Sequence, residues 1–115
     1  MEGERQARAH LENQGYRILD TRWRCRLGEI DLIARDGETT VFVEVRTRSS
    51  RRWGQPEETV HALKRFRLAR IARAWLAARG SDRTAPCRFD VIAISPDPHS
   101  GRNDLVHLKD AFRLA

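Results

Sequence analysis

Two periodicities alternate along the chain, and each marks a kind of element. Residues 2–14 bring Ala7 and Leu11 round at i, i+4 and end at Gly15, which predicts a helix. Three stretches of strand character follow: 16–23 (Tyr16 to Trp23), 29–35 (Glu29 to Arg35) and 40–47 (Thr40 to Thr47), the last rich in β-branched residues. Asp36-Gly37 signals a turn between the second and the third. A basic, polar loop from Arg48 to Gln55 contains Trp53-Gly54. Pro56 suits the first turn of a helix, and residues 57–79 predict a long one, stopped by Gly80. Residues 87–95 read as a fourth strand, 96–103 as a loop, 104–108 as a short edge strand and 109–115 as a tail. The order α-β-β-β-α-β(-β) predicts the α/β class: a mixed sheet flanked by helices.

Side chains alternate faces along a strand. Glu29, Asp31 and Ile33 therefore share a face of the second strand, and Phe42, Glu44 and Arg46 share one of the third. A two-residue turn at Asp36-Gly37 sets Asp31 opposite Phe42 and Glu29 opposite Glu44; a four-residue turn sets Asp31 opposite Glu44. In either register Glu29, Asp31, Glu44 and Arg46 fall on one face, with Ile30, Leu32, Val41, Val43 and Val45 on the other as core. Such a face is either a solvated sheet surface with Arg46 as cross-strand ion-pair partner or a place that holds a cation, because crowded carboxylates repel. Oxygen ligands alone suit Mg²⁺ or Mn²⁺ better than zinc. At about 100° per residue, Glu4 shares the stripe of Ala7 and Leu11. It either complements the helix dipole or joins the acids. On the long helix Val60, Leu63, Leu68, Ile71 and Trp75 define the expected core stripe, with Lys64 and Arg67 inside its arc and Arg65, Arg70, Arg73 and Arg79 outside. Lys64 either snorkels or aims at something anionic.

Composition narrows the partners. The 115 residues make one domain. Of 22 cationic residues only Lys64 and Lys109 are lysines, against 16 acids, for a net charge of +6. Guanidinium groups favour bidentate phosphate contact, so nucleic acid leads the partner classes and an anionic membrane surface follows. No stretch approaches ~18 consecutive apolar residues, and the acidic start, Met1-Glu-Gly-Glu4, lacks the apolar region of a secretory signal. A cytoplasmic location is expected. Cys25 and Cys87 form no CxxC pair, and His10, His61, His99 and His107 show no metal-site spacing.

Several blocks together carry a resemblance: Gly28-Glu-Ile-Asp-Leu-Ile-Ala34, Val41-Phe-Val-Glu-Val-Arg-Thr-Arg48, Gly54-Gln-Pro-Glu-Glu-Thr-Val60, Lys64 and Arg88-Phe-Asp-Val-Ile92. The chain resembles, from Gly3 to about Ile94, the YraN family of bacterial proteins. These are Holliday-junction-resolvase-like and belong to the PD-(D/E)xK, restriction-endonuclease-like superfamily. The resemblance implies an α-β-β-β-α-β core with Asp31 and Glu44 as metal ligands, the carbonyl of Val45 completing the inner shell, and Glu4 near the metal. Glu29 belongs to the block without an assigned role. Arg46 departs from the superfamily's lysine; arginine does not deprotonate, yet it can stabilise phosphoryl charge. Lys64 is the candidate to replace that lysine. Resolvase relatives act as dimers, so a homodimer is an expectation too.

The leading functional expectation is an Mg- or Mn-dependent endonuclease acting on DNA. Its catalytic set is Glu4, Asp31, Glu44, Arg46 and Lys64. Arg48, Arg51, Arg52 and Arg67 hold the backbone, and Trp53 either stacks on a base or seals its loop onto the core. The alternatives are a nucleic-acid-binding module without catalysis, favoured by Arg46, and a partner-binding protein whose charge serves solubility.

Overall fold

The alternation read from the sequence sorts the core into two layers, one on each side of a sheet. The computed structural model describes residues 2–47, 62–80, 85–97 and 99–112. Along them run α1 (Glu2–Asn13), β1 (Arg17–Cys25), β2 (Gly28–Asp36), β3 (Thr39–Thr47), α2 (Ala62–Arg79), β4 (Cys87–Pro96) and β5 (Asn103–Phe112). The strands form one sheet in the order β1-β2-β3-β4-β5. β3 and β4 are parallel and the other neighbours antiparallel. The parallel step is the one whose connection carries α2, as a crossover between parallel strands requires.

Ala7 and Leu11 of α1 pack on Leu32, Ala34, Val41, Val43, Ile92 and Ile94. Leu68, Ile71, Ala72 and Trp75 of α2 pack on Ile33, Phe42, Phe89 and Val91 across the sheet. Both faces of the central strands are covered, which is why they read as nearly unbroken apolar runs. Trp75 anchors α2. Its ring meets Phe42 edge-on at 5.7 Å, Phe42 stacks on Phe89 at 5.3 Å, and the indole N–H donates to Asp20 at 2.7 Å.

Three expectations are corrected. Leu63 is 73% exposed and Arg67 is exposed, so neither belongs to the core arc. At about 100° per residue Leu63 lies about 140° round from Leu68, whereas Lys64 lies about 40° from it. The last strand continues to Phe112, so residues 109–112 are sheet rather than tail. A bulge between Phe89 and Val91, with Asp110 at φ +54°, keeps β5 paired to β4 past the break in its pattern. The expected helix start at 57–61, with Val60, lies outside the described residues.

Candidate functional site

At one end of the β2–β3 pair the ladder stops, and the backbone itself makes the opening. The turn at Gly37-Glu38 sets Asp36 opposite Thr39 and Leu32 opposite Val43. Continued by one rung, this register sets Asp31 opposite Glu44, the pairing that the alternative four-residue turn implied, but here reached through a two-residue turn at Gly37-Glu38. Past Leu32–Val43, the Val45 N–H donates to Asp31 Oδ2 at 2.8 Å. A side-chain carboxylate thus stands where the next ladder acceptor would be.

The β1–β2 pair changes at the same level. Thr21 faces Leu32 and Trp23 faces Ile30. Leu32 packs on the α1 side, but Ile30 and Trp23 pack on the α2 side. In a regular strand residues two apart share a face, so the alternation breaks at Asp31 and, across from it, at Arg22. Arg22 has φ +50°, a left-handed backbone uncommon outside glycine. The expectation that Ile30 lies beside Leu32 is corrected for this reason.

Three acids meet at the break: Glu4, Glu29 and Asp31 each offer an oxygen within 4.8 Å of the others. Glu4 arrives because α1 starts hard against the end of β3. A Cβ on Gly3 would collide with Thr47 Oγ1. Glu29 arrives because Gly28, at φ +140°, lets β2 begin under α2, where a Cβ would stand 3.1 Å from Ile71 Cδ1. Arg22 Nε donates to Glu4 at 2.7 Å and Arg24 Nε to Glu29 at 2.6 Å. Glu44 is engaged otherwise. Lys64 Nζ forms an ion pair with its Oε1, and Arg46 Nη2 lies 3.5 Å from its Oε2. Asp31, Glu44, Glu29 and Lys64 line one cavity of about 150 Å³, floored by Phe42, Leu68 and Phe89.

Burial pushes the Asp31 carboxyl up, the Val45 N–H pulls it down, and the nearby Glu4, Glu44 and Glu29 push it up again, to about 6. Burial is the largest of these causes, the three acids add to it, and the charge of Arg22 opposes them; a cation bound beside the group would lower it further. Of the expected site residues, Glu4, Asp31, Glu44, Arg46 and Lys64 are brought to this end of the sheet. Val45 touches Asp31 through its N–H, and in an extended strand the C=O of a residue faces the same way. Glu29, which carried no role, is part of the acidic cluster. Arg67 is exposed on α2, beside Gly28. Arg48, Arg51, Arg52 and Trp53 lie outside the described residues.

Sequence reasoning missed a second polar cluster, centred on Asp90 of β4, which also lines that cavity and pairs with Val43 of β3. Asp90 is 1% exposed. Arg88 donates to both its oxygens, at 3.0 and 3.2 Å, and the Asp110 N–H donates at 3.0 Å. His107 Nε2 lies 2.7 Å from its Oδ2, and His107 Nδ1 lies 3.0 Å from His10 Nε2. Arg88 also reaches Asp36 at 3.0 Å and the Tyr16 hydroxyl. Burial pushes the Asp90 carboxyl up, but His107, Arg88 and the Asp110 N–H outweigh it and hold the group below its ordinary value.

A two-helix α/β domain with acids gathered at a break in its sheet has relatives of its own length. The model of the "Uncharacterised protein family UPF0102" matches residues 3–94, and the chain belongs to that family, the YraN family its motifs resemble. It is 48% identical over 113 residues to a UPF0102 protein of Syntrophus aciditrophicus, covering 98% of this chain and 87% of the relative. It is 50% identical over 110 residues to one of Symbiobacterium thermophilum, covering 96% and 92%. A relative from Moorella thermoacetica is 47% identical over 110 residues, covering 96% and 91%. Among the described residues no helix is long and apolar enough to cross a membrane.

Proposed function

We propose that the chain is a divalent-metal-dependent nucleic-acid phosphodiesterase, an endonuclease acting on DNA, of the PD-(D/E)xK, resolvase-like kind. The observation that carries the reading is the setting of Asp31. Its carboxylate sits between parted strands with Glu4 and Glu29 within 4.8 Å, and the Glu44–Lys64 pair lines the same cavity. The donors are all oxygens, which fits Mg²⁺ or Mn²⁺. Such an ion, when bound, lowers the pKa of a coordinated water and polarises a phosphate. Asp31, Glu44 and the Val45 carbonyl are the residues to hold it, with Glu4 and Glu29 as the acidic wall. Lys64 stands in for the superfamily lysine that Arg46 has replaced, reaching Glu44 from α2 rather than from β3. Its charge, with that of Arg46, offsets negative charge building on the phosphoryl group. Arg48, Arg51, Arg52 and Arg67 hold the strand, Trp53 stacks or seals, and a cytoplasmic homodimer completes the reading.

The test is cleavage of linear and branched DNAs with Mg²⁺ or Mn²⁺, beside Asp31→Ala. Wild type cuts at least one substrate and the variant none. One observation favours a second reading, a binding module without catalysis: Arg46 in the lysine position. DNA that is bound but never cut, with either ion, makes that second reading the better one.

A further inference from the structure

α2 carries a second apolar face. Leu63 and Phe66 are 73% and 61% exposed, at about 140° and 160° round from Leu68. The helix around them holds Lys64, Arg65, Arg67, Arg70 and Arg73, and from Ala62 to Arg79 it has no acid at all. The β1–β2 turn adds Arg26 and Leu27, which with Leu63, Phe66, Arg67 and Arg70 line a groove of about 290 Å³. The Arg70 guanidinium lies 6.0 Å from the Phe66 ring centre. The groove adjoins the carboxylate cavity. Leu27 leads directly into Gly28-Glu29, the Arg67 side chain lies 3.9 Å from the Cβ position of Gly28, and Lys64 shares a helical turn with Phe66.

We propose that this groove holds an unpaired nucleobase, stacked on Phe66, from the strand whose phosphate enters the carboxylate cavity. The substrate class is then nucleic acid with a single-stranded segment. The choice of nucleic acid rests on the phosphodiesterase reading. An exposed aromatic ring set among arginines matches the chemistry of single strands: cations follow the phosphates, and any base has a face to stack. A blunt duplex keeps its bases paired and offers this face only phosphates. A second copy of the chain is a poor occupant, because a two-fold interface would bring Arg67 and Arg70 against their own counterparts. An anionic lipid surface matches the charge as well, and the experiment separates it.

The full-length protein is titrated in EDTA against a labelled oligothymidine, a duplex with a single-stranded overhang, and a blunt duplex. Phe66→Ala weakens the first two by about tenfold or more and leaves the blunt duplex within about twofold. Phe66→Tyr keeps single-strand binding. Phe66 is exposed, so the variant folds, with circular dichroism and melting unchanged from wild type. Equal loss on all three ligands, no loss on any, or no binding by wild type overturns the proposal. So does a Phe66→Ala protein that leaves phosphatidylserine vesicles while still binding oligothymidine as wild type does; that result assigns the face to lipid. Cleavage plays no part in these titrations. Blunt DNA cut normally by Phe66→Ala with unchanged single-strand affinity removes the stacking site and keeps the enzyme. A Phe66 effect in a protein that cuts nothing does the reverse.

Discussion

Asp31 on β2 and Asp90 on β4 are both withdrawn from water, and their carboxyls shift in opposite directions. Asp90 is the deeper, with a side chain that has no exposed surface, yet it is held below its ordinary pKa. Asp31 is only partly buried, yet it is pushed up to about 6. Burial pushes both carboxyls up, and company decides which way each ends. Asp90 has Arg88, His107 and a backbone N–H bonded to it; Asp31 has one backbone N–H, three acids and the charge of Arg22 nearby. The Asp90 cluster is complete within the fold, tying β4 to β5 and, through Arg88, to Asp36 on β2. In the Asp31 cluster Arg22, Arg24 and Lys64 pair with the surrounding acids Glu4, Glu29 and Glu44, while the Asp31 carboxylate itself has only the Val45 N–H as a hydrogen-bond donor.

The largest effect expected from this contrast is on stability. Asp90→Ala leaves Arg88 and His107 facing an empty site under the sheet. Losing one partner of a buried charged network costs about 3–5 kcal/mol, which lowers the melting temperature by about 10 °C or more. Asp31→Ala in the same calorimetric experiment leaves stability nearly unchanged or raises it. Equal destabilisation by the two substitutions would erase the distinction between an aspartate that holds the fold and one proposed to hold an ion.

Lys64 inverts the pattern. Its side chain is 43% exposed, so its pair with Glu44 contributes little to folding. Lys64→Ala therefore shifts stability by less than about 1 kcal/mol while lowering the cleavage rate by about 10²–10³. Metal-dependent stabilisation of the variant stays intact, because a cation is no ligand to Mg²⁺. A Lys64→Ala protein that cuts as fast as wild type removes Lys64 from the chemistry.

Period-2 alternation made the central strands legible, along with the kinship of Asp31 and Glu44, and the helical stripe of α2 placed Lys64 on its inner arc. It failed where the backbone leaves its regular form. No residue type announces that Arg22 turns left-handed, so strict parity misplaced Ile30 and gave no hint that Asp31 lies between strands. Leu63 was misread because α2 is apolar on two sides, and only packing tells which side faces the sheet. The Asp90 cluster draws on α1, β2, β4, β5 and Tyr16, residues far apart in sequence that only the strand register brings together. Glu4, by contrast, was readable from the stripe it shares with Ala7 and Leu11.

A smaller effect probes Asp31 through pH, with metal removed by EDTA. A carboxyl whose folded pKa is raised binds its proton more tightly folded than unfolded. Its contribution is most favourable below its ordinary value near 3.8, is lost as pH rises towards 6, and is level above that. Asp31→Asn lacks this loss and can still accept the Val45 N–H. It should therefore be more stable than wild type by about 1–2 kcal/mol at high pH, solvent around this half-buried group screening the rest. The gap closes towards pH 4. Melting curves of the two proteins across that range check it; a gap that widens on acidification reverses the assignment of Asp31 as the repelled acid.

The smallest effect is expected at Arg46, which already shares Glu44 with Lys64. Arg46→Lys keeps a positive charge on the same strand residue and supplies the lysine that the proposed superfamily reading calls for there. Stability is expected to stay within about 0.5 kcal/mol, as for partly exposed ion pairs. Cleavage is retained or raised, by less than about tenfold, because Lys64 already supplies the nearer cation. The informative measurement is the double variant. If Lys64 replaces the strand lysine, then Arg46→Lys in a Lys64→Ala background recovers much of the lost rate, and the two substitutions are strongly non-additive. Additive effects mean that the two cations act on different parts of the reaction. In that case the exchange of a strand lysine for a helix lysine is not how this site is built.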